Sequence, residues 1–262
     1  MGKKYVIDET TLTNITDKLR DTMGIEEKYT PEEIPRGIEN VFVNGQENGM
    51  QTEYDAFWDA FQHNGKRKDY TYGFYSYEYD GDRTWSDANF VPKYDINPTA
   101  ANFMFNALAV KNLRETLQKL GITIDFSNAT TLRYLFNRST TKKVPVIDGS
   151  GVTASNGLER VFAYSSIQEV EKFIVADNGI SFTNTFLEAT KLHTITFEGV
   201  IGKSINFAQS PLTRASAVNV MEHLKNISGT GTTLTVTFSS TTKALLTDED
   251  KAIATQRCWT IA

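Results

Sequence analysis

The sequence predicts an α+β chain: short N-terminal helices, a small aromatic-rich α/β segment, then a solenoid of short repeats closed by a C-terminal helix and strand cap. Three observations predict it. Apolar residues recur at helical spacing in the first segments. Tyrosines alternate over residues 70–79. From about residue 101, phenylalanine-closed turns alternate with short apolar strands. The chain divides into 1–45, a helical attachment or oligomerisation segment; 46–97, an aromatic-rich helix with short strands; 98–210, the repeats; and 211–262, the cap.

The first segment reads as two helices. Leu12, Ile15, Leu19 and Met23 share one face, and Gly24 stops it. Thr30-Pro31-Glu32-Glu33 is a capped start, and Ile34, Ile38 and Val41 give the next apolar face. Such narrow stripes bury little alone, so Leu12, Ile15, Leu19, Ile34 and Ile38 are the candidate attachment surface.

A third helix places Tyr54, Phe57, Trp58 and Phe61 on one face and ends at Gly65. The basic run Lys66-Arg67-Lys68 reads as a solvated terminus. Five of the eleven tyrosines then fall between 70 and 79. Alternation of Tyr70, Tyr72 and Phe74, then of Tyr75, Tyr77 and Tyr79, predicts one or two strands with a bulge between them. These tyrosines and Trp85 are the candidate ligand surface. A small core with hydroxyls at its rim is the alternative, since tyrosine serves both.

Val110, Leu113, Leu117 and Leu120 predict a helix stopped by Gly121, and Ile122–Phe126 reads as a strand. The repeats align Ala101–Phe105, Leu132–Phe136, Leu158–Phe162 and Phe182–Phe186, their closing phenylalanines 31, 26 and 24 residues apart. A small residue, Ser139, Ser165 or Ala189, follows three positions after the last three of these. Strand-like runs follow at Val144–Ile147, Val170–Val175 and Leu192–Phe197, with a related element at Ile205–Phe207. Stacking such units would bury Phe136, Phe162 and Phe186 as one spine. The cap is read as a helix within Leu212–Ile227, a strand at Leu234–Phe238, a helix opened by Thr247-Asp248-Glu249-Asp250, and a last strand at Cys258–Ile261 that buries the single cysteine.

Length 262, 40% hydrophobic and 23% charged residues describe a folded chain rather than a disordered one. A net charge of −5 offers no basic face for nucleic acid. One cysteine excludes an internal disulfide framework. Neither a secretory signal nor a membrane-length apolar run is seen.

The repeat region, with its aromatic-closed turns and the stretch Phe197-Glu198-Gly199-Val200-Ile201-Gly202 followed by Pro211-Leu212-Thr213, resembles the divergent leucine-rich repeats of bacterial surface proteins and phage proteins. The pattern Ile15-Thr16-Asp17-Lys18-Leu19-Arg20, then Tyr29-Thr30-Pro31-Glu32-Glu33-Ile34-Pro35, resembles a helical segment near the start of phage tail and baseplate proteins. These resemblances imply a leucine-rich-repeat-like solenoid in a virion tail-fibre or baseplate component, made in a bacterial host cytoplasm. The implied partners are other tail proteins and host-surface glycan or protein. A homo-oligomer, a trimer by analogy with tail fibres, is also implied. A bacterial leucine-rich-repeat surface adhesin is the alternative.

No catalytic constellation is expected. His63, His193 and His223 lack paired metal spacing, and phosphate-loop, dinucleotide and nucleophile-elbow motifs are missing. Gly149-Ser150-Gly151 reads as a turn, and Asp80-Gly81-Asp82 as a turn rather than a calcium loop. Carboxylate pairs Asp55/Asp59 and Asp80/Asp82 leave a polysaccharide-degrading tail enzyme as a remoter alternative. No cofactor or metal is expected.

Overall fold

Phenylalanines far apart in sequence meet in one column. The computed structural model describes residues 57–75, 85, 87 and 90–262. Within it Phe74, Phe105, Phe136, Phe162 and Phe186 stack at centroid distances of 5.3, 5.2, 6.1 and 5.4 Å, with interplanar angles of 15° or less. Phe207 and then Phe238 extend the column, at 4.4 and 6.1 Å. Each is at most 2% exposed. Such pairs add about 0.5–1.5 kcal/mol each beyond the area they bury.

Tight turns set each ring in place. Around Phe105, Met104 donates its N–H to Ala101, Asn106 to Phe103 and Leu108 to Phe105, three overlapping turns. The residues two before and two after the phenylalanine carry positive φ: Phe103 and Ala107, Tyr134 and Arg138, Arg160 and Tyr164, Asn184 and Glu188. That is the third-position geometry of type II turns, which glycine or asparagine usually fills. Alternate N–H groups leave the turn for the next one along: Phe103, Phe105 and Ala107 donate to Arg133, Leu135 and Asn137 at 2.8–2.9 Å, and Tyr134, Phe136 and Arg138 donate to Glu159, Val161 and Ala163. The predicted small residues are buried beside the column, with Ser139 Oγ donating to the Leu108 carbonyl and Ser165 Oγ to that of Phe162.

Helix α1 (Leu113–Leu120) starts at the Asn112 cap and ends at Gly121, whose φ of 67° suits a residue without Cβ. Strands β1 (Lys143–Asp148), β2 (Glu169–Val175) and β3 (Thr194–Gly199) form a parallel sheet in sequence order. Strand β4 (Ile205–Phe207), helix α2 (Arg214–Glu222), strand β5 (Leu234–Phe238), helices α3 (Ser240–Leu245) and α4 (Asp248–Thr255), and strand β6 (Trp259–Ile261) complete the chain. The order β4-β5-β6 makes a second parallel sheet. α2 covers the free edge of β3, Ser216 Oγ and Asn219 Oδ1 accepting the Ile195 and Phe197 N–H groups at 3.0 and 2.6 Å. This protects a strand edge from intermolecular pairing. One buried cluster runs from Phe57 to Trp259.

These sheets correct the predicted class. Among the described residues, two separate three-stranded parallel sheets with few helices make the fold α/β rather than α+β, and a leucine-rich-repeat-like solenoid is not indicated there. Three of the apolar runs do become one parallel sheet, β1-β2-β3, but the related element β4 joins a second sheet. Phe207 of β4 packs on Phe186 of the turn column, and β4 pairs with β5, not with β3.

Local expectations also change. Residues 70–75 are turns, not a strand, because Tyr70, Tyr72 and Phe74 bond to Ala100, Asn102 and Met104 in the turn manner above. Ile122–Phe126 contributes a lone bridge from Ile124 to Ile96. α2 is shorter than the Leu212–Ile227 reading, and α3 was not foreseen. Cys258 is exposed, with φ of 63°, so the last strand begins at Trp259. Arg67 is not solvated: it is 8% exposed, donates to the Asp69 and Phe61 carbonyls, and lies over the Phe61 and Tyr70 rings. Thr247 and Asp250 form the α4 capping box, and Asp250 also takes both prongs of Arg214 at 2.7 Å.

Phe162→Ala removes the middle of the column and is expected to lower unfolding free energy by about 3–5 kcal/mol in urea titration. Glu169 supplies an acid-sensitive term. Lys143 at 3.0 Å, then Arg114 at 2.9 Å, hold its carboxyl below the ordinary value of 4.5. Its contribution is therefore complete above that value and is lost as pH falls through the lowered one. Stability of Glu169→Gln is expected to fall less steeply than wild type between about pH 6 and about pH 3.

Candidate functional site

The positive-φ positions form a second ladder, on the surface. Tyr72 stacks on Phe103 at 4.7 Å, and Phe103 on Tyr134 at 4.5 Å, each at 10°. Tyr75 meets Tyr72 edge-on at 5.6 Å. Beyond Tyr134 the ladder changes chemistry. The guanidinium groups of Arg133 and Arg160 lie 4.8 and 5.5 Å from the Tyr134 ring centre. Cation–π contacts of this kind contribute about 0.5–2 kcal/mol. Arg133 is anchored by Glu159 at 2.8 Å, and this hydrogen bond is the first cause holding its guanidinium above the usual arginine value.

The two flanks of the turns present different side chains. Two residues before each column phenylalanine stand Tyr72, Phe103, Tyr134, Arg160 and Asn184. Two residues after stand Ala107, Arg138, Tyr164 and Glu188. Tyr72 and Tyr164 are 40% and 46% exposed, among the most exposed large hydrophobic residues described. The last rung is closed by a side chain: Gln209 Oε1 accepts the Glu188 N–H at 2.9 Å, and Gln209 Nε2 donates to the Glu188 carboxylate at 2.6 Å.

Of the predicted ligand residues, Tyr72 is exposed and Tyr75 half-buried, both on this ladder. Tyr70 is 1% exposed and belongs to the core, where burial pushes its hydroxyl above the usual tyrosine value. Trp85 packs with Phe57, Trp58, Phe61 and Phe74 in an aromatic cluster over the start of the column. Tyr77 and Tyr79 lie outside the described residues, as do Leu12, Ile15, Leu19, Ile34 and Ile38. Phe136, Phe162 and Phe186 stack in one column, without the predicted solenoid around them. Sequence reading missed Phe103, Tyr134, Arg160, Arg138 and Tyr164. The signal was available, since the aligned repeats place Phe103, Tyr134, Arg160 and Asn184 in one column.

The surface offers groups for contact. Both faces of Phe103 are covered, by Tyr72 and Tyr134, so no sugar ring can stack on it. What remains outward is ring edges, hydroxyls and guanidinium groups, the composition of protein-interface hot spots. Asp59, one of the carboxylates considered for hydrolysis, is held by Lys93 at 2.9 Å and accepts the Tyr94 hydroxyl, whose proton it retains above the usual tyrosine range. Asp55, Asp80 and Asp82 lie outside the described residues. No group of three or more His, Cys, Asp or Glu able to hold a metal occurs among the described residues, and none of their helices is long and apolar enough to cross a membrane. No family model, curated protein or solved structure matches this chain.

Arg138 tests the turn geometry that displays the ladder. At its φ of 59° a β-branched side chain is strained. Arg138→Val is expected to be less stable than Arg138→Gly by about 1–2 kcal/mol in urea titration.

Proposed function

We propose that this chain is a non-enzymatic binding protein, a phage tail-fibre or baseplate component that grips a host surface through its aromatic and arginine ladder. The observation that carries the contact half is the surface run of exposed Tyr72 and half-buried Phe103 and Tyr134, ending in Arg133 and Arg160. Tyrosine and arginine supply large, rigid contact area at low entropic cost. Covered ring faces favour a protein on the host surface over a stacked sugar. The virion half rests on the resemblance carried by residues 15–35 and the repeat region.

In this reading the N-terminal stripe of Leu12, Ile15, Leu19, Ile34 and Ile38 docks on other tail proteins or on sister chains, giving a homo-oligomer. Catalysis, cofactor and metal have no part in it.

A double variant, Tyr72→Ala with Tyr164→Ala, is expected to bind bacterial cells at least about tenfold more weakly than wild type, a loss typical of interface anchors. Flow cytometry of labelled protein over a panel of strains checks this. Unchanged binding, with the wild-type melting temperature retained, would remove the ladder as the gripping surface. Immunogold labelling that left phage tails bare would remove the virion assignment.

A further inference from the structure

We infer that the ladder takes an acidic protein surface, with one carboxylate of the partner seated on Arg160. This deepens the reading of the ladder as the gripping surface and rests on it. Arg160 is the one rung where a charge replaces an aromatic ring in contact with the ladder. Its Nε is buried with no hydrogen-bond partner. Its nearest acid, Glu159, lies 4.0 Å away and is already engaged by Arg133 at 2.8 Å. The guanidinium is therefore fixed by stacking on Tyr134 rather than by an acceptor, and its side chain remains 36% exposed. The part of this planar guanidinium that remains exposed matches a carboxylate in two-pronged geometry.

Charge complementarity selects the partner. The chain carries −5 overall, yet Arg133 and Arg160 meet on the Tyr134 ring against one acid, Glu159, which Arg133 already holds. Arg138 is exposed and makes no side-chain ion pair among the described residues. A local positive patch on an acidic protein steers an acidic partner and sets its register. Tyr72, Phe103 and Tyr134 present edges rather than faces, so the partner's own apolar side chains lie across them. That combination is found on proteins, whereas a bare polyanion offers charge without the apolar part.

The test uses the full chain and fluorescent copolymers as probes. A glutamate–tyrosine copolymer is expected to bind saturably, weakening as salt rises. Arg160→Gln should lose at least tenfold in affinity, and Arg160→Lys should recover only part, because lysine lacks the planar fork. Melting temperatures of both variants should stay near wild type, separating recognition from folding. No binding of the copolymer, equal affinity for Arg160→Gln, or tight binding of polyphosphate in its place would overturn the inference. If cell binding still depends on Tyr72 and Tyr164 while Arg160→Gln is silent, the ladder reading survives and the carboxylate seat alone fails.

Discussion

Everything in this fold depends on holding seven phenylalanine rings in register while the chain between them changes length. The intervals are unequal, so no regular period enforces the stack. Enforcement comes from the turns. Each successive turn donates alternate N–H groups to the next, from Tyr72, Phe74, Phe103 and Phe105 onward to Tyr164. The donors all run the same way along the stack. Polar backbone is thereby satisfied internally, which allows the rings beneath to be dry. The direction also leaves unpaired donors at the far end, and Gln209 meets one of them at Glu188.

That arrangement has a cost, and the cost is placed at the surface. Positive φ at Phe103, Tyr134, Arg138, Arg160, Tyr164 and Glu188 lacks the glycine that would relieve it. Left-handed conformation in such residues costs about 1–2 kcal/mol each. Stacking offsets part of it: Tyr72, Phe103, Tyr134 and Arg160 lean on one another at 4.5–5.5 Å. A glycine at these positions would relax the backbone but erase the ladder. Tyr72, Phe103, Tyr134 and Tyr164 are thus both strained positions and surface aromatics, and an observed backbone outlier is a sound starting point for a hypothesis of function.

Much of the local structure was legible in sequence. The column phenylalanines, the small residues after them, Gly121 as a stop and Thr247 as a cap all announce themselves through spacing and residue type. The turn starts were legible too, though unread: Asp69, Asp125, Asp148, Asn178, Asn206 and Asn226 each accept the N–H two residues on, a recurring side-chain turn. Sheet partition was not legible, because a short apolar run such as Ile205–Phe207 fits either sheet equally well. Its pairing with β5, Ile205 opposite Val236 and Phe207 opposite Phe238, decides it. Alternating tyrosines misled for a related reason. In the overlapping turns Tyr70 and Phe74 are buried while Tyr72, midway between them, is exposed, so the three do not share a face. Period two marks a strand only when the backbone is extended.

The candidate site follows from which surfaces the fold closes. The start of the column lies under Trp58, Phe61, Trp85 and Phe90. The edge of β3 is stopped by Ser216 and Asn219. Glu169, between Arg114 and Lys143, and Lys172 against Glu198 at 2.6 Å neutralise one another across the first sheet. Such paired charges discourage association, since separating them from water and from each other is costly. The ladder is closed less fully: its one close ion pair among the described residues is Arg133 with Glu159 at 2.8 Å. Its hydroxyls and guanidinium groups stand beside apolar ring edges, and Arg160 has no bonded acceptor. A partner that covered this strip would bury aromatic edges and fill unfilled donors together. A surface that gains on both counts suits the recognition role proposed for it.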